Sequence, residues 1–391
     1  MHKILISLIF LLTFTNSFSQ KGMFKQGSIS PNIYTENIAY EFVWDIIIIK
    51  VQINEKTYRF LLDTGAPTTI NSKVIGDFAF VKEEKSTDAS QNEASVNYVK
   101  IPKMKFGNII YKDFVAMQYD IEVFEQLNID GILGANLISK STWEFDIENN
   151  VITVSDKLVE NKVKDFSKTN LKIIDTGTPV LKFTYFNKIK EKRVYFDTGF
   201  NGLFYLSTSM FNKLSKKKLL SNRIRGIGIY ARSAFGQDEI SLTYMAALKM
   251  QLGEHEIPNI ISDVSDDTES NMGCEWLKYY HTIISGKEFF FKRNKTPIPQ
   301  KVISKGIRLL TDTKGLFISM VWEKSEAYKK GIRPNDRILS VNKKKIVGDD
   351  EKLLEELKRT IYEEKKIILE INKPGNYIEL EREVIFDIQT K

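Results

Sequence analysis

The chain of 391 residues has one cysteine, Cys274, and three histidines. A single thiol excludes an intramolecular disulfide. With the histidines at unrelated spacings, a structural zinc site also lacks its ligand set. Neither His255 nor His281 forms a recognisable pattern with Cys274, so that thiol reads as a small buried hydrophobe. Long apolar runs are missing after the first. Residues 4–12 follow Lys3 and precede Ser17-Phe18-Ser19, which is the make-up of a secretory signal and too short for a membrane anchor. Charge of one sign is not concentrated anywhere. The net charge of +7 is spread along the chain, with only short runs such as Lys216-Lys217-Lys218 and Lys343-Lys344-Lys345. A solvated surface explains these better than a nucleic-acid groove. The expectation is an exported protein, periplasmic or extracellular. It needs no metal or organic cofactor, binds no nucleic acid, and keeps no integral membrane segment once the signal is removed.

What is present is the balance of a folded protein, 42% hydrophobic and 27% charged, with room for two or three domains. Short, β-branched-rich runs punctuated by turn residues predict strands from Phe42 onward. Ile46-Ile47-Ile48-Ile49 and Val51-Gln52-Ile53 lead through the turn Asn54-Glu55-Lys56 to Tyr58-Arg59-Phe60-Leu61-Leu62, which ends on Asp63-Thr64-Gly65. Ile132-Leu133-Gly134 follows later, then two closing strands. The same order recurs: a strand at Val180 to Phe186, a polar turn, Val194-Tyr195-Phe196, Asp197-Thr198-Gly199, then Met272-Gly273 and two closing strands. In both copies nearly the same length of chain separates aspartate from glycine. Agreement over several landmarks predicts an internal duplication. A third triplet, Asp175-Thr176-Gly177, opens a strand instead of ending a hairpin and reads as a turn.

Two aspartates delivered this way can meet at the centre of one molecule. Carboxylates held about 3 Å apart cannot both ionise, so the pair keeps a proton. The ionised member takes a proton from water and the protonated one polarises a carbonyl, which is the chemistry of peptide-bond hydrolysis. Glycine after Asp-Thr lets the backbone turn tightly toward the carboxylate.

These motifs resemble the aspartic proteases of the bilobal kind, whose lobes each look like a retroviral-protease subunit. The resemblance rests on Asp63-Thr64-Gly65-Ala66-Pro67-Thr68 with Ile132-Leu133-Gly134, and on Asp197-Thr198-Gly199 with Met272-Gly273. It implies Asp63 and Asp197 as catalytic residues. Thr64, Gly65, Ala66, Thr198, Gly199, Gly134 and Gly273 would support the catalytic loops. Phe200 departs from the small residue usual after the triplet. Flaps are expected at 83–98 and 226–236. Because Ala66 and Phe200 offer no side-chain hydrogen bond to the carboxyls, activity is expected to extend toward neutral pH.

Beyond Pro297 and Pro299 the texture changes to a small α+β pattern. Gly315-Leu316-Phe317-Ile318, Ser325-Glu326-Ala327, Lys330-Gly331-Ile332 and Asp336-Arg337-Ile338-Leu339 resemble a PDZ domain. That resemblance implies a peptide C-terminus added as a strand and held by the backbone of Gly315, Leu316, Phe317 and Ile318. The expected fold is all-β, two acid-protease β-barrel lobes related by internal duplication, followed by a small α+β PDZ domain. The divisions are a signal at 1–19, a lead at 20–37, lobe one at 38–160, lobe two at 161–293, a linker at 294–300 and the PDZ domain at 301–391. The implied function is an exported aspartic endopeptidase acting on peptide or protein substrates. A catalytically inactive peptide-binding protein on the same fold is the alternative.

Overall fold

Asn54 and Glu55 take left-handed backbone angles, φ 49° and 63°, and join Ile46–Ile53 to Lys56–Asp63 in a tight hairpin. Such a turn matches the twist of the two strands. Lys50 and Gln52 face solvent while Ile46, Ile48, Val51, Phe60, Leu61 and Leu62 are buried. Each of these side chains contributes roughly 1.5–3 kcal/mol on burial, so the strand that delivers Asp63 is firmly held. A similar turn precedes the second aspartate. Asn187 and Lys188, φ 46° and 68°, join Thr184–Phe186 to Ile189–Glu191, and Val194–Asp197 delivers the second aspartate.

The computed structural model describes residues 12–13, 22–88, 92–220, 222–229, 232–237, 239–265, 269–346 and 350–389. The expected signal at 1–19 lies outside these residues except for Leu12–Thr13. Among the described residues no helix is long and apolar enough to cross a membrane. The protein is mostly β.

The register around each aspartate is the same. Gly131–Gly134 runs parallel to Phe60–Asp63 with Gly134 opposite Asp63. Ser270–Gly273 runs parallel to Val194–Asp197 with Gly273 opposite Asp197. The two halves are joined by an antiparallel sheet in the order Thr35–Ile38, Val151–Ser155, Thr142–Asp146, Tyr280–Ser285, Glu288–Arg293, Ser167–Ile173. Aromatics dominate its packing, with Trp276 stacked on Tyr280 and Trp143 on Phe106 and Phe145. One apolar core runs continuously through both halves beneath the aspartates.

Several expectations need correction. Val180 to Phe186 is not one strand. Phe183 takes φ 56° and the chain changes partner there, Pro179–Leu181 pairing with Val194 and Tyr195 and Thr184–Phe186 with Met250–Leu252. Within the lead expected at 20–37, the described residues from Gly22 pack against the rest of the chain. Met23 and Phe24 are buried among lobe-one residues, Ser28–Ser30 pairs with Ile110–Lys112, and Thr35–Ile38 joins the central sheet. The linker at 294–300 is pinned as well. Asn294 Oδ1 accepts from the His281 N–H, Gln300 Nε2 donates to the Asn259 carbonyl, and Ile298 is buried.

The C-terminal unit holds the hairpin Ile307–Asp312 and Gly315–Trp322, the short helix Glu326–Lys329 capped by Ser325, and the helix Glu351–Glu363 capped by Asp350. Leu354, Leu357 and Ile361 pack one face of that helix onto the sheet. Of the backbone expected to hold a peptide, Gly315, Leu316, Phe317 and Ile318, part is already engaged. Their backbone is paired with Leu309 to Asp312 on one side, while on the other Phe317 bridges Arg337 and Ile318 bonds Asn335 and Asp336. Farther along the same strand, Met320, Val321 and Trp322 pair with Gly228, Ile227 and Gly226 of lobe two. The partly buried pair Arg308–Asp263 at 2.9 Å joins the same two units.

Candidate active site

Each aspartate sits at the last residue of its strand, and the chain curls back over its carboxyl. The N–H groups of Gly65 and Ala66 donate to Asp63 Oδ1 at 2.6 and 3.0 Å. The Gly199 N–H donates to Asp197 Oδ1 at 2.9 Å. The threonines between them lock the two loops reciprocally. The Thr64 N–H donates to Thr198 Oγ1 at 3.1 Å and the Thr198 N–H to Thr64 Oγ1 at 3.0 Å. Each hydroxyl then donates onward across the interface, Thr64 to the Phe196 carbonyl at 2.5 Å and Thr198 to the Leu62 carbonyl at 2.7 Å.

Two pairs of glycines permit this approach. A Cβ on Gly65 would come within 2.5 Å of Asp197 Cγ, and one on Gly199 would overlap the Asp63 carboxyl. The carboxyls of opposite lobes therefore lie against one another's loops. A Cβ on Gly134 would strike the backbone of Pro67 and Thr68, and one on Gly273 the Gly202 carbonyl and the Phe200 ring. All nine residues expected at this site, Asp63 to Ala66, Asp197 to Gly199, Gly134 and Gly273, are brought together.

Asp63 and Asp197 are fully buried. Their second oxygens, Asp63 Oδ2 and Asp197 Oδ2, receive no donor from the described residues. Burial pushes both carboxyls up, Asp197 to about 6 and Asp63 well above the ordinary value, where the charge of Asp197 adds to the effect. The retained proton belongs to the pair.

Sequence reasoning missed several supporting residues. Asn136 Oδ1 accepts from both the N–H and the hydroxyl of Thr68 at 2.8 Å, and the Thr68 hydroxyl lies 3.1 Å from the Gly134 N–H that donates to it. A polar Asn136 inside the apolar run after Gly134 was the available signal. The Thr178 hydroxyl donates to the Gly65 carbonyl at 3.3 Å. The third triplet is a turn, as expected, with Gly177 at φ 95° and Asp175 paired to Lys25 on the surface. Phe200 does not disturb its loop. Its carbonyl accepts from Cys274 as that of Ala66 accepts from Ala135, and its ring packs edge-on against Tyr205. The stretch expected as the first flap is a hairpin of Ala79–Asp88 and Glu93–Phe106, with 89–91 outside the described residues. The second reaches it from lobe two: the Phe235 N–H donates to Asp88 Oδ2 at 2.8 Å and the Phe235 ring meets Tyr119 edge-on. Among the described residues no group of three or more His, Cys, Asp or Glu gathers as a metal site would need.

The family model for aspartyl proteases matches residues 49–137, which hold Asp63, most of the first hairpin and Gly134. No curated protein matches the chain. Among solved structures, basic 7S globulin from soybean is similar at 11% identity, covering 66% of this chain and 94% of that one, with a TM-score of 0.40. Over residues 49–137, then, this chain is similar to the aspartyl proteases, and the kind of function that segment supports is an aspartic protease's.

Proposed function

We propose that the chain is an exported aspartic endopeptidase whose two lobes, 38–160 and 161–293, arose by internal duplication and share one catalytic pair, Asp63 and Asp197. The observation that carries this reading is the reciprocal threonine lock, which holds two buried carboxyls against each other's loops. A carboxyl pair with one proton has both tools the reaction needs. The ionised oxygen takes a proton from a water held between the two carboxyls. The other carboxyl donates its proton toward the scissile carbonyl oxygen as water attacks its carbon. The tetrahedral adduct then collapses, the C–N bond breaks, and a proton passes from the pair to the leaving nitrogen. Fixed N–H donors on Asp63 Oδ1 and Asp197 Oδ1 keep both carboxyls oriented throughout.

Because both carboxyls are buried, a peptide reaches them when the hairpin carrying Ala234 and Phe235 lifts from Asp88 and Tyr119. The unit at 301–391 is read as PDZ-like, with docking on lobe two as its role in place of peptide capture at Gly315–Ile318. Export rests on the composition of residues 1–19. Digestion of a peptide library across pH by wild type, Asp63→Asn and Asp197→Asn tests the reading. Cleavage by wild type and none by either variant is expected. Peptide binding without turnover in all three would instead favour an inactive binding protein, and an active Asp197→Asn variant would remove lobe two from the chemistry.

A further inference from the structure

The two hairpins that meet at Asp88 and Phe235 are held differently at their roots. In lobe one, Ala79–Asp88 pairs along Glu93–Phe106, and among the described residues its other edge pairs only with Leu12–Thr13, at Thr87 and Asp88. In lobe two, Arg223–Gly228 takes the matching place against Ser241–Leu252. Its other edge is closed by the C-terminal unit, with Met320, Val321 and Trp322 opposite Gly228, Ile227 and Gly226. The contact extends past the pairing at both ends. The Ile229 N–H donates to the Ser319 carbonyl at 2.8 Å, and the Glu323 N–H to the Arg225 carbonyl at 2.9 Å. The Arg225 guanidinium pairs with the Glu323 carboxylate at 2.7 Å. The approach is close, since a Cβ on Gly228 would strike the Ser319 carbonyl and one on Gly226 the Trp322 ring. A strand bonded on both edges opens locally at a higher free energy than one with a bare edge. Phe235 follows Ile229 by six residues, a reach of at most about 21 Å, so fixing Ile229 limits where the lid at 232–237 can go.

We infer that the strand Met320 to Trp322, with Glu323, positions the lobe-two lid: the C-terminal unit holds the root of that hairpin so that the lid rests closed and sets the rate at which a peptide enters. In the closed position the Phe235 N–H sits on Asp88 Oδ2 and Ala234 is buried in the lobe-one cluster that also holds Ala66 and Ile132. Neither Trp322 nor Glu323 touches the carboxyls, and both act through Gly226 and Arg225. The inference rests on the peptidase reading for what the lid admits, whereas the lid's resting position is read without any turnover.

Two rates are measured in the full chain: hydrogen exchange at the Phe235 amide, and association of an uncleavable reduced-amide peptide with Leu and Phe flanking the reduced bond. Glu323→Arg sets two cations against each other across the root and should speed both by about threefold. The charge swap, Arg225→Glu with Glu323→Arg, should return both toward wild type. Trp322→Ala removes the ring lying against Gly226 and should speed both by about tenfold or more, with exchange along Lys56–Asp63 unchanged. Should that variant fail to fold, the exposed charge pair decides alone. A Phe235 exchange rate that Glu323→Arg leaves as it was, or a change that the swap does not reverse, overturns the inference. Faster exchange without faster association overturns it too, because the lid would then not be the gate. If both rates respond and no peptide is cleaved by the wild type, the peptidase reading fails and the positioning role stands. Cleavage with no response at Phe235 sinks this inference alone.

Discussion

Lobe one and lobe two hold their aspartates with the same backbone and different side chains. In both, a parallel strand sets a glycine opposite the aspartate, and the next residues direct N–H groups at one carboxyl oxygen. Lobe one then braces its loop with polar groups, Thr68 and Asn136. Lobe two uses bulk, with Phe200 filling the space and stacking edge-on with Tyr205. The covering is also unequal. Met23 and Phe24 pack into the lobe-one cluster, whereas Met320 and Trp322 of the C-terminal unit pack into that of lobe two. The lesson is that geometry at the carboxyls is set by main chain and glycine, and the side chains around it are free to diverge toward separate tasks.

The comparison breaks first, and most visibly, at the carboxyls. Asp63→Asn and Asp197→Asn should each lower kcat/KM by about 10^3-fold or more, because one proton must be held and another taken by the same pair. Unequal losses would mean that the lobes do not contribute alike. The next largest effects concern stability. Alanine at Gly134 or Gly273 overpacks a closed contact and should cost about 1–3 kcal/mol or more in chemical denaturation. The costs should be alike, because a Cβ at Gly134 meets the backbone of Pro67 and Thr68 and one at Gly273 meets the backbone carbonyl of Gly202. Asn136→Ala should cost about 1–3 kcal/mol, since it strands the buried Thr68 N–H, and this brace has no counterpart at Phe200.

The pH dependence follows from the direction of both shifts. The carboxyls hold protons more tightly folded than unfolded, so their ionisation opposes folding. The stability they contribute is complete below the ordinary value of 3.8 and is lost as pH rises through about 6 and above. The double Asp63→Asn, Asp197→Asn protein should therefore gain stability over wild type at alkaline pH, and the gain should vanish in acid. Activity, which needs one proton on the pair, should rise through about pH 6 and decline at higher pH. The smallest effect is reserved for the third triplet. Asp175→Ala removes an exposed ion pair with Lys25 and should cost under about 1 kcal/mol with activity intact.

Much of the site was legible in the sequence because it depends on local events. Strand, tight turn, strand and Asp-Thr-Gly are short-range signals, and the glycine of each apolar-Gly element marks a contact that only a missing Cβ allows. What stayed hidden depends on pairing between distant segments. Nothing local in Gly226-Ile227-Gly228 announces that Met320 to Trp322 will lie beside it. Nothing near Gly315 shows that its strand is already paired on both edges. The packing of Met23 and Phe24 was hidden because their partners lie in strands far along the chain.

The shared proton is tested most directly by carbon-13 NMR titration of the aspartate carboxyls in wild type and in Asp197→Asn. In wild type the pair should titrate in two steps, one near pH 6 and one well above the ordinary aspartate range, with the Asp63 signal following the pair. In the variant the Asp63 midpoint should fall while staying raised, because the neighbouring charge is gone and the burial remains. An Asp63 carboxyl that titrates identically in both proteins would contradict the account.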